Sequence, residues 1–265
     1  MTFMQFLDMS IVAHRKIGSD YYYLVLKSER SFGRIAPGQF IMLGFPGRID
    51  PLLPRPMGFF QVLEENGSST SFSIGYVVVG KGTNLLARCK AGDKLKGTGP
   101  LGNGWNMDVI MEKTVMVAGG IGITPFYLPA KELIQSGKKV TLLYGAKTAA
   151  DLVFEDEFRG LGMDIILYTE DGSTGTKGLV SEGLAGHLDS DISVLACGPG
   201  GMLKKVMETC LPAGIDPQLS FDKRMACGFG VCLGCNIAVK DKNGKSSYVR
   251  VCKEGPVLKG SEVAW

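Results

Sequence analysis

Seven cysteines are spread unevenly along this chain. Four stand near its C-terminal end, in the order Cys227-Gly-Phe-Gly-Val-Cys232-Leu-Gly-Cys235, with Cys252 following alone. The spacing C-x4-C-x2-C…C is that of plant-type [2Fe–2S] ligation, with a last interval shorter than is usual in ferredoxins. Gly228, Gly230 and Gly234 lack a Cβ, so the loop can curl around a cluster and aim N–H groups at its sulfurs. A structural zinc site is the competing use of four thiolates. Zinc favours C-x2-C knuckles in both halves, whereas here the first gap is four and the last ligand is single. The spacing therefore favours Cys227, Cys232, Cys235 and Cys252 as iron–sulfur ligands. Cys89 and Cys210 have no ligand-like neighbours and read as small buried hydrophobes.

Two glycine turns could hold phosphate. Gly119-Gly120-Ile121-Gly122-Ile123-Thr124-Pro125 joins an apolar run to a helical stretch, where a helix N-terminus meets negative charge. It lacks the G-x-G-x-x-G fingerprint, so a tight turn without a ligand stays open as a reading. Cys197-Gly198-Pro199-Gly200-Gly201 follows another apolar run, and ligands of open α/β sheets sit at the carboxyl ends of strands. Both turns are expected at one sheet edge. Upstream, Arg55-Pro56-Met57-Gly58 offers a guanidinium for a diphosphate, and Gly80-Lys81-Gly82-Thr83 closes a strand and opens a helix. Asp151, Glu155, Glu170 and Asp171 stand near strand ends, where one could hold a ribose hydroxyl; His14 and His187 show no partner in the sequence.

These residues need three kinds of scaffold. Short alternating segments (residues 22–26, 40–43 and 71–79) between turn signals such as Pro37-Gly38, Asn66-Gly67 and Ala91-Gly92-Asp93 read as a β-barrel or sandwich. From about residue 111, apolar strands at 114–118, 140–144, 165–168 and 193–196 alternate with helical stretches, which means a parallel, doubly wound sheet. After residue 216 a hairpin is expected, residues 236–239 and 247–251 around Lys242-Asn243-Gly244. The expected division is 1–110, 111–216 and 217–265.

Composition narrows the class. A length of 265 residues suits roughly two domains and an appendage. The 37 glycines, about twice ordinary usage, fall in clusters and not in a period. A net charge of +3 with dispersed Lys and Arg gives no nucleic-acid surface. An odd cysteine count and an N-terminus without a signal pattern argue against a disulfide framework and predict a cytoplasmic protein that does not enter membranes.

The order of motifs resembles the ferredoxin–NADP reductase superfamily with a C-terminal [2Fe–2S] segment. Within it, residues 222–235, 251–256 and 118–125 look like the cluster loop and nucleotide turn of the electron-transfer subunit of NAD-dependent class 1B dihydroorotate dehydrogenases. The resemblance implies a β-barrel holding FAD, with Arg55, Pro56, Met57 and Gly58 along the flavin and its diphosphate. Gly75, Tyr76 and Val77 would lie on a strand beside it, and Gly82 and Thr83 on the phosphates. It implies an α/β domain binding NAD through Gly119, Gly120, Gly122, Thr124 and Pro125, with Cys197, Gly198 and Pro199 near the nicotinamide. It also implies an FMN-containing dihydroorotate dehydrogenase catalytic subunit as partner, in a heterotetramer with two of each, serving pyrimidine biosynthesis. No side chain is expected to act as a catalytic acid or base, because the hard chemistry belongs to the cofactors. The family's Ser or Thr at the fourth place of Arg-Pro-x-Ser is here Gly58, which cannot offer the flavin a hydroxyl. The flavin iron–sulfur subunit of another multi-component NAD(P)H reductase, and a zinc-stabilised binding module without redox role, are the alternatives. NAD and NADP are not distinguished.

Overall fold

The computed structural model describes residues 4–65, 68–241 and 244–265; the Asn66-Gly67 turn signal and Lys242-Asn243 lie outside them. Seven strands build a first, antiparallel sheet: β1 (Gln5–Lys16), β2 (Tyr21–Ser28), β3 (Phe40–Gly44), β4 (Arg55–Gly58), β5 (Gln61–Glu65), β6 (Ser68–Val77) and β7 (Lys94–Leu101). Their order is β4-β3-β7-β1-β2-β6-β5. In β1, buried Leu7, Met9 and Ile11 alternate with exposed Phe6, Asp8 and Val12, the period-2 pattern of a half-buried strand. Those side chains meet Leu24, Leu26, Ile41, Phe72 and Ile74 in one core. The edge strands β4 and β5 do not pair with each other, although β4 lies close to β6. The expected barrel is therefore a curled, open sheet. Arg55-Pro56, a common loop dipeptide, is here the start of an edge strand, where a proline without an N–H costs no ladder bond.

The short helix α1 (Lys81–Leu86) follows β6. A second sheet contains β8 (Lys113–Gly119), β9 (Lys139–Ala146), β10 (Asp164–Thr169), β11 (Thr176–Lys177), β12 (Ile192–Cys197) and β13 (Gln218–Ser220). Its strands are parallel, in the order β11-β10-β9-β8-β12-β13, as the continuous apolar runs predict. Helices cover both faces. Ala130 and Leu133 of α2 (Tyr127–Gln135) and Phe158 of α3 (Glu155–Arg159) pack on one. Val180 of α4 (Val180–Gly183), with Leu203 and Val206 of α5 (Gly200–Cys210), packs on the other.

The tail is tied to this sheet at both ends. β13 pairs with β12, and the last strand, which follows the hairpin of β14 (Asn236–Lys240) and β15 (Ser246–Arg250), is β16 (Val257–Lys259), antiparallel to β13. Ile237, Val239 and Val251 of the tail share one core with Phe40, Met42 and Leu101 of the first sheet and with Val115 and Val117 of the second. Among the described residues no helix is long and apolar enough to cross a membrane.

Candidate iron–sulfur and nucleotide site

Backbone N–H groups link the tail cysteines. The Cys232 N–H points at Cys227 Sγ, 3.5 Å away, and the Cys252 N–H at Cys235 Sγ, 3.4 Å away. Cys235 and Cys252 are buried, Cys227 is half-buried and Cys232 is exposed. Among the described residues no set of three or more His, Cys, Asp or Glu is gathered around one point where an ion would sit. The loop bends through left-handed backbone at Gly228 (φ +82) and Gly230 (φ +90), which glycine adopts without strain. Gly228 also rests directly on the first sheet: a Cβ there would lie 2.4 Å from Met42 Cγ. Gly234 has no such neighbour, since a Cβ would meet only Cys232 Sγ at 3.6 Å. Burial pushes the Cys227 thiol up, but the N–H groups of Cys232, Phe229 and Val231 together draw it down to about 6. Burial, reinforced by neighbouring Cys235, pushes Cys252 up to about 12.

A residue that sequence reading missed anchors the last cysteine. Asn103, just after β7, has nothing in its local sequence to mark it. Yet its N–H donates to Gly255 O at 2.6 Å, and its Nδ2 donates to Lys253 O at 3.2 Å and Glu254 O at 3.1 Å. The turn that carries Cys252 is thereby fixed to the first sheet.

The two glycine turns do meet, as their places after neighbouring strands β8 and β12 require. A Cβ on Gly122 would lie 2.3 Å from Cys197 O, and one on Gly119 would lie 2.8 Å from Pro199 Cδ. Gly120 takes φ +54. Thr124 is buried, its hydroxyl donating to Ile121 O at 3.0 Å, and Pro125 O accepts from Trp105 Nε1 at 3.2 Å. Residues 120–126 form a 3₁₀ stretch before α2 begins. Cys197 is buried, which pushes its thiol up to about 12; Ser220 bonds to it and Gly198 continues the turn. A thiol so placed is not a nucleophile.

In the first sheet, the Arg55 guanidinium lies against the backbone of Gly82, where a Cβ would be 2.3 Å from Arg55 Nε. Arg55 Nη1 donates to Leu53 O at 2.5 Å. Pro56 and Met57 pair with Met42 and Ile41 across β3. Gly58 has room beside it, since a Cβ there would have Pro125 Cγ as its nearest neighbour at 3.7 Å. Thr83 spends its hydroxyl locally: it accepts from the N–H groups of Val79 and Gly80 at 3.0 and 3.2 Å. Strand alternation separates the three residues expected together on β6. Gly75 faces Phe154 and Thr124, outside the first sheet, whereas Tyr76 turns into the first core. There His14 finds the partners its sequence context concealed: Nε2 lies 2.9 Å from the Tyr76 hydroxyl and Nδ1 2.7 Å from Cys89 O. Val77 pairs with Tyr21. Of the acidic residues near strand ends, Asp171 bonds to Ser173, Glu155 to Arg159 and Asp151 to Thr148.

Fold and site define an NAD-linked oxidoreductase with an iron–sulfur segment. A family model described as "Oxidoreductase NAD-binding domain" matches residues 116–208, and one described as "Iron-sulfur cluster binding domain of dihydroorotate dehydrogenase B" matches residues 222–264. The chain is 39% identical over 248 residues to the dihydroorotate dehydrogenase B (NAD(+)) electron transfer subunit of Clostridium acetobutylicum, covering 94% of this chain and 93% of that one. It is 32% identical over 260 residues to the subunit of the same name from Desulforamulus reducens, covering 97% and 98%. This chain belongs to the family of electron-transfer subunits of NAD+-dependent dihydroorotate dehydrogenase B. Among solved structures, the NADH-dependent reduced ferredoxin-NADP oxidoreductase, described for flavin-based electron bifurcation, superposes with a TM-score of 0.81 at 28% identity, covering 97% of this chain and 89% of that one. The ferredoxin NADP+ reductase of Neisseria gonorrhoeae shares the fold at a TM-score of 0.69 and 19% identity, covering 82% of this chain and 99% of that one.

Proposed function

We propose that this chain holds FAD on its first sheet, NAD on its second and a [2Fe–2S] cluster in its tail, and relays electrons from a catalytic subunit to NAD+ in pyrimidine biosynthesis. The catalytic subunit is an FMN-containing dihydroorotate dehydrogenase, joined in a heterotetramer with two of each chain, in the cytoplasm. When bound, a cluster in the tail would supply single-electron exchange and a flavin on the first sheet would supply the pairing of electrons that nicotinamide needs. The chain's own part is position. Cys227, Cys232, Cys235 and Cys252 supply four thiolates, and their C-x4-C-x2-C…C spacing suits a two-iron group better than one tetrahedral zinc. Arg55 against Gly82 puts a guanidinium beside the start of α1, the donor set of a diphosphate seat. Gly119 and Gly122 let their turn close against Cys197, Gly198 and Pro199, which brings the two turns together at one sheet edge, and Gly120 keeps room beside it for an extended dinucleotide at the start of α5.

The observation that carries this reading is the seat of the cysteine loop. Gly228 rests on Met42 of β3, the strand paired with Arg55–Gly58, and Asn103 holds the Cys252 turn to the same sheet. The cysteine loop thus rests against the sheet that carries Arg55–Gly58, which supports a short path between the proposed cluster and the proposed flavin. Cys232→Ser in the full chain, assayed alone and together with the co-purified catalytic subunit, tests it. Iron should be lost and FAD retained; NADH oxidation by an artificial acceptor should survive while dihydroorotate-dependent NAD+ reduction fails. If both activities persist unchanged, the cluster is not on the path.

The superposition on the ferredoxin-NADP oxidoreductase favours a second reading, the flavin iron–sulfur subunit of another NAD(P)H reductase complex. Gly58 in place of a hydroxyl residue fits a flavin tuned for a different partner. Co-purification with untagged partners, followed by the dihydroorotate assay, separates the two.

A further inference from the structure

Arg250 closes β15 two residues before Cys252, and its guanidinium is held in place from several sides. Its Nε donates to Glu254 Oε2 at 3.0 Å, and Nη2 pairs with Glu254 Oε1 to complete the fork. The Arg250 N–H donates to the same carboxylate at 2.7 Å, and the Glu254 N–H returns a bond to Arg250 O at 2.9 Å. The remaining arm, Nη1, reaches across to the cysteine loop and donates to Gly230 O at 2.8 Å. That carbonyl belongs to the same peptide unit as the Val231 N–H, one of the groups that draw the Cys227 thiol down, and the next N–H along, that of Cys232, points at Cys227 Sγ from 3.5 Å. In a planar trans peptide the C=O and N–H point opposite ways, so fixing one aims the other. Without a tether this peptide could rotate: Gly230 has φ +90, a region glycine enters and leaves freely. Rotation would replace a donor facing the sulfur with a carbonyl oxygen.

We propose that Arg250 is a positioning residue for the cluster: braced by Glu254, it turns the Gly230–Val231 peptide so that its N–H, and not its carbonyl, faces Cys227. This rests on the reading that the four cysteines hold a [2Fe–2S] group. Hydrogen bonds to cluster sulfurs help set the reduction potential, and a donor to sulfur stabilises the more negative, reduced form. Arg250 therefore keeps the potential up by orientation, with Glu254 as its brace.

The test uses the full chain, loaded with iron and sulfide. Iron content, visible absorption and electron paramagnetic resonance of the wild type check the underlying reading first; a wild-type chain that takes up no cluster sinks that reading and is told apart from failure of the proposal. Redox titration then compares Arg250→Gln and Glu254→Gln. At a fixed potential the reduced-to-oxidised ratio is expected to fall by about tenfold in Arg250→Gln, ~59 mV for a one-electron couple. It should fall by a smaller factor in Glu254→Gln, where the guanidinium remains but loses its brace. A charge acting through space would instead move the two variants in opposite directions, because one loses a cation and the other an anion. A potential that stays or rises in Glu254→Gln overturns the proposal, as does an unchanged potential in Arg250→Gln. If Arg250→Gln retains no iron, the Glu254→Gln titration decides on the same terms.

Discussion

The α/β turns and the cysteine loop are both rich in glycine, and they use it for different ends. In the turns at Gly119 and Gly122 the glycines permit backbone to lie against backbone, and the missing side chain would strike Cys197 O and Pro199. In the cysteine loop Gly230 permits left-handed backbone with only the movable Lys253 side chain beside it, while Gly228 combines left-handed backbone with packing on Met42. The first use serves packing, the second shape. A substitution in the first should therefore damage the fold, and one in the second should damage the cofactor site while leaving the fold standing.

Four substitutions press on that difference. The largest effect is expected from Gly122→Ala, whose Cβ would fall 2.3 Å from a backbone oxygen that cannot swing away. It should cost about 3 kcal/mol, the upper end for overpacking, read as a lower midpoint in urea unfolding. Gly230→Ala comes next. Its Cβ would meet Lys253 Cδ at 2.6 Å, the movable part of a long side chain, so the main cost is left-handed backbone, ~1–2 kcal/mol. That loss should appear as iron content falling well below one cluster per chain with a thermal midpoint only slightly lowered; retained iron with a large loss of stability would erase the distinction. Thr83→Val, outside both glycine regions, sets the scale for a purely local loss. It removes the oxygen that accepts from Val79 and Gly80, and should cost about 1 kcal/mol in thermal unfolding. The smallest effect is expected from Gly58→Ser, where the nearest atom is at ordinary contact distance, 3.7 Å. Stability should change by less than about 0.5 kcal/mol, and the flavin absorption or potential should shift if the new hydroxyl reaches the ring.

Much of this architecture could be read from local pattern. The buried parallel strands announce themselves as unbroken apolar runs because both of their faces are covered. The cysteine spacing is local too, and both glycine turns follow strands that prove to be neighbours. What could not be read depends on long-range meeting. His14 looked isolated because its partners lie 62 and 75 residues away. Asn103 meets Lys253 and Glu254 about the Cys252 turn, 150 and 151 residues on. The strand β7, Lys-Leu-Lys-Gly-Thr-Gly-Pro-Leu, carries two glycines and a proline, which hide its period, yet it pairs with both β1 and β3. Arg250 and Glu254 left a fainter trace: opposite charges four residues apart on either side of Cys252. The tail strands β13 and β16 are only three residues each, too short for a period to show.

Those two short strands have a consequence for how the proposed metal centre is made. They are hydrogen-bonded neighbours in the second sheet, and the whole cysteine segment lies between them in sequence. Once the sheet has formed, the ends of that segment are already closed on each other. The entropy of loop closure, which grows with the logarithm of loop length, has then been met before any ligand is gathered. The sheet is placed to serve as a jig: assembly of the proposed metal centre is expected to follow folding, and a chain stripped of iron is expected to keep the frame on which it can be rebuilt.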